Sequence, residues 1–413
     1  MNRWLILVQR HGLVLVLLNC LGLLNPDFSA KTSLMNLDLV AETEASVGSA
    51  AFKQVSWILL FVCFALASWR SRLDRALLGR LKMLSLGFGT IFTICLLSSF
   101  WSDYPALTLK RVFFQIIFVF VIGASVFCAI KERTFRRCYN TTFCIFVFAV
   151  LLSLLLGTGM SETGLTGWEA TKNNMGASSF LMLILNQLQQ RINPGRIKTQ
   201  LVKDIVLTMI ILFSMSKTVI LLAGILFLMR NASSLLTKSS LLVFAGTIVA
   251  IFVVPLIMLQ FQSDMPVVTD FIDSEALTGR GLIWTVLYDD LTQLNTFMLG
   301  HGYGSFFNTG EIPEAFDIPY SFLQLITSAH NGYLELLLQL GAPFTFVVVG
   351  WLAWFGYMTR NSLCFLLVTL IFIYNITESS LLRDEHVLWS AYLVTIFTGL
   401  FAGYHYDPSR MRS

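Results

Sequence analysis

Arg280 is the single lysine or arginine between about Gln260 and Ser328, a polar stretch that carries nine acidic residues and interrupts an otherwise hydrophobic chain. A guanidinium standing alone there, with His330 following where the next apolar run begins, is suited to grip an anion bidentately beside a titratable imidazole. Lys217 lies in Ser214-Met215-Ser216-Lys217, inside an apolar run. An ammonium in such a place costs about 3 kcal/mol or more unless it faces a cavity or a partner. Lys172 precedes Asn173-Asn174-Met175-Gly176 at the start of another run, where helix N–H donors attract negative charge. After His330, Asn331 and Glu335 share one helical face, and the N-terminal dipole favours a neutral, base-competent imidazole. Three cations, an imidazole and a carboxylate suit a diphosphate whose lipid tail stays in a bilayer. The cations would offset leaving-group charge while the imidazole deprotonates a hydroxyl. Plainer readings exist for each: Arg280 paired with Asp273, Glu275, Asp289 or Asp290; Lys217 snorkelling; Lys172 a solvated loop lysine; His330 a helix cap beside a structural Glu335.

The elements that must hold these residues are membrane helices. Hydrophobic residues make up 56% of the 413 and charged residues 13%, with a mean hydropathy of +0.73; a soluble domain carries about 25% charged residues. Apolar runs extend from Leu5–Leu24 to Val387–Gly403, and their parity predicts an all-α polytopic membrane protein of about 12 transmembrane helices. Basic connections (Arg70 to Lys82, Lys131 to Arg137, Arg191 to Lys203) mark the cytoplasmic side and put both termini there. The run Ile205–Met229 must go out and come back, so a break is expected at Ser214 to Lys217. The chain divides into N-terminal helices (1–259), a large polar loop with short amphipathic helices (260–329) and C-terminal helices (330–413).

Other classes are excluded or disfavoured. All seven cysteines lie in or against apolar runs without CxxC spacing, so neither disulfides nor a metal site is expected. No phosphate-binding glycine loop or metalloprotease motif occurs, and the +4 charge reads as an orientation signal, with no nucleic-acid partner. The first apolar run lacks a small-x-small cleavage site and reads as a retained helix. A transporter would place a second helix break in a repeated half; none is apparent beside Ser214 to Lys217.

The stretches WSDYP with TLKR, TKNNMG, SMSKT, TGRGLIW with LGHGYGSFF, and AHNGYLELLLQLG with TESSLL run in this order from about Ser98 to Leu382. They resemble the O-antigen ligase and polymerase superfamily, most closely its exopolysaccharide-polymerase branch. The resemblance implies a bacterial inner-membrane glycosyltransferase with a GT-C-like bundle and a large periplasmic loop. It further implies undecaprenyl-diphosphate-linked oligosaccharide as donor, a growing polysaccharide as acceptor, and no cofactor or metal. A chain-length regulator and a flippase would be its partners. Two arginines and a histidine of the ligases fall on Lys217, Arg280 and His330, so the first is replaced here by lysine. That replacement favours polymerase over ligase.

Overall fold

The computed structural model describes residues 3–29, 41–69, 75–231, 280–317, 322–359, 361–383 and 386–405, with isolated positions 242, 245 and 246. Among them are thirteen α-helices: α1 (Arg3–Cys20), α2 (Ala41–Trp69), α3 (Arg75–Leu97), α4 (Pro105–Lys131), α5 (Phe135–Leu155), α6 (Lys172–Ile192), α7 (Ile197–Ser214), α8 (Lys217–Asn231), α9 (Arg280–Leu291), α10 (Leu294–Leu299), α11 (Gly332–Met358), α12 (Ser362–Thr377) and α13 (Val387–His405). The protein is an all-α polytopic membrane protein. Four stretches, Leu78–Phe100, Pro105–Lys131, Phe135–Leu155 and Gly332–Met358, are long and apolar enough to cross a membrane. Four shorter apolar stretches lie in α1, α2, α12 and α13. Most of the apolar run Leu241–Leu259, the loop from 260 to 279, and the basic residues Arg70, Arg72, Arg410 and Arg412 lie outside the described residues.

Two helices form the axis. α6 is buried on every side from Met175 to Gln189, and α13 is buried throughout Leu388 to Leu400; a helix enclosed all round sits inside a bundle. The helices around them turn apolar flanks outward, such as Val55, Leu59 and Val62 on α2 and Phe148, Leu151 and Leu155 on α5. In lipid such flanks need no cover.

Several boundaries differ from the sequence expectation, each for a local reason. The first run ends at Cys20 because Gly22, at φ +65°, closes the helix: Leu23 N–H bonds the Leu18 carbonyl at 2.8 Å. The run Ile205–Met229 does break where expected, with Met215 at φ +55° and α8 starting at Lys217. Its first limb gains length by starting back at Ile197, in the basic connection, so its 18 residues reach about 27 Å. A two-stranded hairpin, β1 (Met160–Ser161) and β2 (Gly164–Leu165), is the exception to the all-helical expectation. A Cβ on Gly164 would meet the Ser214 carbonyl at 2.7 Å, so this turn packs directly on the break.

A second interruption lies in α11, where Gly341 is non-helical (φ +71°) and Pro343 lacks an N–H. Carbonyls on the preceding turn lose their usual donors, and the polar loop supplies replacements: His301 N–H bonds Leu338 at 2.8 Å and Gly302 N–H bonds Gln339 at 2.9 Å. The loop has its own apolar core, in which Ile283, Trp284 and Leu287 of α9 meet Phe306, Phe307, Phe316 and the first turns of α11. On its other side Arg111 of α4 donates to the carbonyls of Gly304, Phe307 and Asn308, and Trp101 Nε1 donates to Leu299 O at 2.8 Å.

Candidate functional site

The residue pair that ends α12, Thr377-Glu378, is where the separated motifs meet. Arg280, first residue of α9, donates from Nη1 to Thr377 O at 2.6 Å and from Nη2 to Glu378 Oε1 at 2.5 Å. His330 Nδ1 lies 3.1 Å from the other oxygen, Glu378 Oε2. Asn173 Nδ2 also reaches Oε1, at 3.3 Å. Thr218, beside Lys217, shares a hydrogen bond of 3.2 Å with the Thr377 hydroxyl. Both lysines open helices, Lys172 at α6 and Lys217 at α8, and each is one residue from a side chain bound to this pair.

Local sequence explains the convergence. Gly332 permits the closest approach: a Cβ there would lie 2.1 Å from Asn375 Oδ1. That oxygen cannot yield, because it accepts from Ser380 N, Ser380 Oγ and Leu381 N at 2.9–3.0 Å. The start of α11 is thereby set against the end of α12. Asn331, and not His330, is the N-cap: its Oδ1 accepts from the N–H of Tyr333 and Leu334 at 3.0 and 3.1 Å. His330 is displaced to the position before the cap and held at φ +47°, an unusual conformation for a residue with a side chain. Glu335 reaches back to accept from Ala329 N at 3.2 Å, which steadies the residue before His330. Trp284 shares a helical face with Arg280 four residues earlier, and its Nε1 donates to Ala329 O at 2.9 Å. The tryptophan of the TGRGLIW stretch therefore brings the arginine alongside the histidine.

Arg280 opens a helix. Among the described residues its carboxylate partner is Glu378; of the four acids considered for it, Asp289 and Asp290 lie elsewhere on α9, and Asp273 and Glu275 fall outside the described residues. Sequence reasoning assigned no role to Glu378, although it lies in the TESSLL stretch at the end of a 16-residue apolar helix.

Charge balance is favourable. Burial alone would raise the Glu378 pKa, but hydrogen bonding to His330 and the charges of Arg280 and His330 bring it down to about 2. Arg280 and Glu378 are 17% and 13% exposed, whereas Lys217 is exposed and makes no hydrogen bond or ion pair to another described residue. An ionised glutamate can only accept. Nδ1 of His330 therefore donates to Glu378, and in the neutral ring that tautomer leaves the lone pair on Nε2. No cluster of metal-ligating side chains occurs among the described residues.

The fold and this cluster define a multi-pass helical membrane protein with cations and a carboxylate-oriented imidazole gathered at one end of the bundle. Residues 204–349 match the family model Wzy_C, described as O-antigen ligase, which supports the O-antigen ligase and polymerase superfamily. No curated protein matches the chain. The matched region contains Lys217, Arg280, His330, Asn331 and Glu335; Lys172, Asn173 and Glu378 lie beyond it.

Proposed function

We propose that this protein is an inner-membrane glycosyltransferase that joins undecaprenyl-diphosphate-linked oligosaccharides into an exported polysaccharide on the periplasmic face. The observation that carries the reading is the Glu378 carboxylate shared between His330 Nδ1 and Arg280 Nη2, with two lysine-bearing helix starts tied to the same residue pair.

Arg280, Lys217 and Lys172 hold the donor diphosphate, aided by the N–H groups at the starts of α6 and α8. His330 Nε2 takes the proton of an acceptor hydroxyl as that oxygen bonds to the anomeric carbon. The bond from that carbon to the diphosphate oxygen breaks, and the lipid diphosphate leaves with the electron pair. Direct displacement inverts the anomeric configuration. Glu378 is a positioning residue: it fixes the Nδ1–H tautomer and stabilises the imidazolium that forms. Asn173 holds Glu378 in place, Asn331 caps the helix behind His330, and Glu335 steadies the loop before it. Both termini lie in the cytoplasm, and a flippase and a chain-length regulator are the expected partners.

A ligase, transferring finished glycan to lipid A core or to a protein, is the second reading, and the description of the matched family favours it. Lysine at 217 argues the other way, since a point charge lacks the fork that grips phosphate on two sides. The second helix break, at Gly341, does not favour a transporter, because loop N–H groups occupy its freed carbonyls.

The test is polymer length in cells carrying His330→Ala or Arg280→Ala, each verified as inserted. Loss of polymer with accumulation of lipid-linked units is expected. Long unattached chains point to the ligase, and wild-type polymer removes the assignment.

A further inference from the structure

A cavity of about 150 Å³ opens next to the Glu378 cluster, between the end of α1, the turns of α2 that carry Lys53 and Trp57, the start of α6 and the start of α13. Among its lining residues are Lys53, Trp57, Glu169, Asn174 and His386. It adjoins the cluster through consecutive residues: Asn173 binds Glu378, and Asn174 faces the cavity.

Three of the lining groups carry hydrogen-bonding capacity that the described residues leave unused. Trp57 is 2% exposed, and its ring packs on Phe118 at 4.6 Å, yet its indole N–H has no partner among them. An indole N–H on a cavity wall offers a donor to whatever fills the cavity. The Asn174 side chain likewise makes no hydrogen bond to another described residue, although its backbone N–H is taken by Thr171. His386 accepts the Leu388 N–H on Nδ1 at 3.2 Å, so in the neutral ring the proton is on Nε2. Burial and the nearby Arg383 charge lower the His386 pKa to about 3 against the pull of Glu378, which keeps the ring neutral. Its Nε2–H has no partner among the described residues.

The charges lining the cavity balance, with Lys53 set against Glu169, so an uncharged ligand fits better than a diphosphate. The volume matches that of a protein cavity that takes up a single six-membered ring. A ligand that is one ring in size, neutral and rich in hydrogen-bonding oxygens is a sugar. We propose that this cavity seats one uncharged pyranose ring of the oligosaccharide that reacts at the Glu378 cluster, with Trp57, Asn174 and His386 as its polar contacts. The inference rests on the glycosyltransferase reading and extends it from the diphosphate to the glycan.

The experiment uses the full chain in nanodiscs and, as probe, the lipid-linked oligosaccharide extracted from cells carrying His330→Ala. Trp57→Phe keeps the ring and removes the N–H; Asn174→Ala removes the amide. Trp57→Phe and Asn174→Ala should each raise KM roughly fivefold to tenfold, the loss of about one hydrogen bond, with kcat at saturation nearly unchanged. Arg280→Ala and His330→Ala should instead lower kcat. If those two abolish turnover while Trp57→Phe and Asn174→Ala leave KM unaltered, the cavity holds only water and the sugar subsite is wrong. If Arg280→Ala and His330→Ala still polymerise, the glycosyltransferase reading itself fails.

Discussion

Both ends of α6 meet a buried carboxylate paired with an arginine, yet the two clusters are built to opposite ends. Asp204 accepts from Asn186 Nδ2 at 2.7 Å, from Gln187 Nε2 at 2.9 Å and from Arg230 Nη1 at 2.8 Å, and Arg230 also binds Gln187 Oε1. Every partner there is another fixed side chain, and no imidazole takes part. Glu378, about 20 Å away along the same helix by residue rise, accepts from Arg280, His330 and Asn173, but among the described residues His330 Nε2 has no partner and Lys217 stays exposed. A carboxylate with saturated partners locks helices together. A carboxylate whose partners keep spare valence can serve a ligand. Ion pairing by itself does not separate structure from function; what the paired groups still have to offer does.

The largest expected effect sharpens that contrast. His330→Ala should lower turnover by about 10²–10⁴-fold, the range for losing a general base, with the folded fraction unchanged by size-exclusion chromatography. Glu378→Gln should cost less and should alter the pH–rate profile, because an amide no longer enforces the Nδ1–H tautomer; an unaltered profile would reduce Glu378 to a packing residue. Asp204→Ala should do the reverse. Breaking the buried pair should destabilise by about 3 kcal/mol, at the low end because Arg230 is 33% exposed, while turnover per folded molecule holds. Turnover lost in Asp204→Ala at full stability would erase the distinction between the clusters.

Gly332→Ala tests how the site is assembled. Its new methyl would collide with Asn375, which is 0% exposed and already committed to three donors, so the start of α11 must shift and carry His330 from Glu378. Activity should drop by about tenfold or more, as misplacement by an ångström does, with insertion retained.

How much of this was readable beforehand follows the physics of each signal. The membrane class and the break at Ser214 to Lys217 were legible, because hydropathy and span length are local properties. Lys217 stood out as a charge inside an apolar run, Arg280 as the one cation of an acidic stretch and His330 as the imidazole that follows it. Glu378 did not, since one acid after an apolar helix looks like an ordinary helix end until the fold returns it to His330. Asn331 is a residue type that can contact sugar, but its oxygen caps α11; a cap and a ligand group use the same atoms, and only the backbone distinguishes them. The glycines of Gly-x-Gly-x-Gly were visible as a motif, but their purpose was not. Gly302, at φ +97°, lets the loop press against Ser102, where a Cβ would sit at 2.4 Å.

Acid should expose the Glu378 cluster more than the bulk of the protein. Glu378 has a folded pKa of about 2 against the usual 4.5. A carboxylate depressed in this way contributes stability that is complete above about pH 4.5 and is lost as pH falls toward 2. Thermal unfolding measured across that window should show a decline that Glu378→Gln flattens; parallel declines in the two proteins would contradict the assignment.

The smallest effect concerns a clasp between the loop and the bundle. His301 places Nδ1 2.9 Å from Asp103 and Nε2 2.8 Å from Asp290. Burial would lower its pKa, but the hydrogen bonds and charges of Asp290 and Asp103 raise it above the usual 6.5. The sign is therefore opposite to that of Glu378: the stabilisation is complete below pH 6.5 and is lost as pH rises through the folded value. Asp103 is 56% exposed, so solvent screens much of it. His301→Gln should lower the melting temperature by roughly 1–2 °C at pH 6 and by less at pH 9. Because the clasp joins the WSDYP turn to α9, which carries Arg280, a fall in turnover of His301→Gln at pH 6 without a change in melting would mean that the loop's position, more than its stability, depends on this histidine.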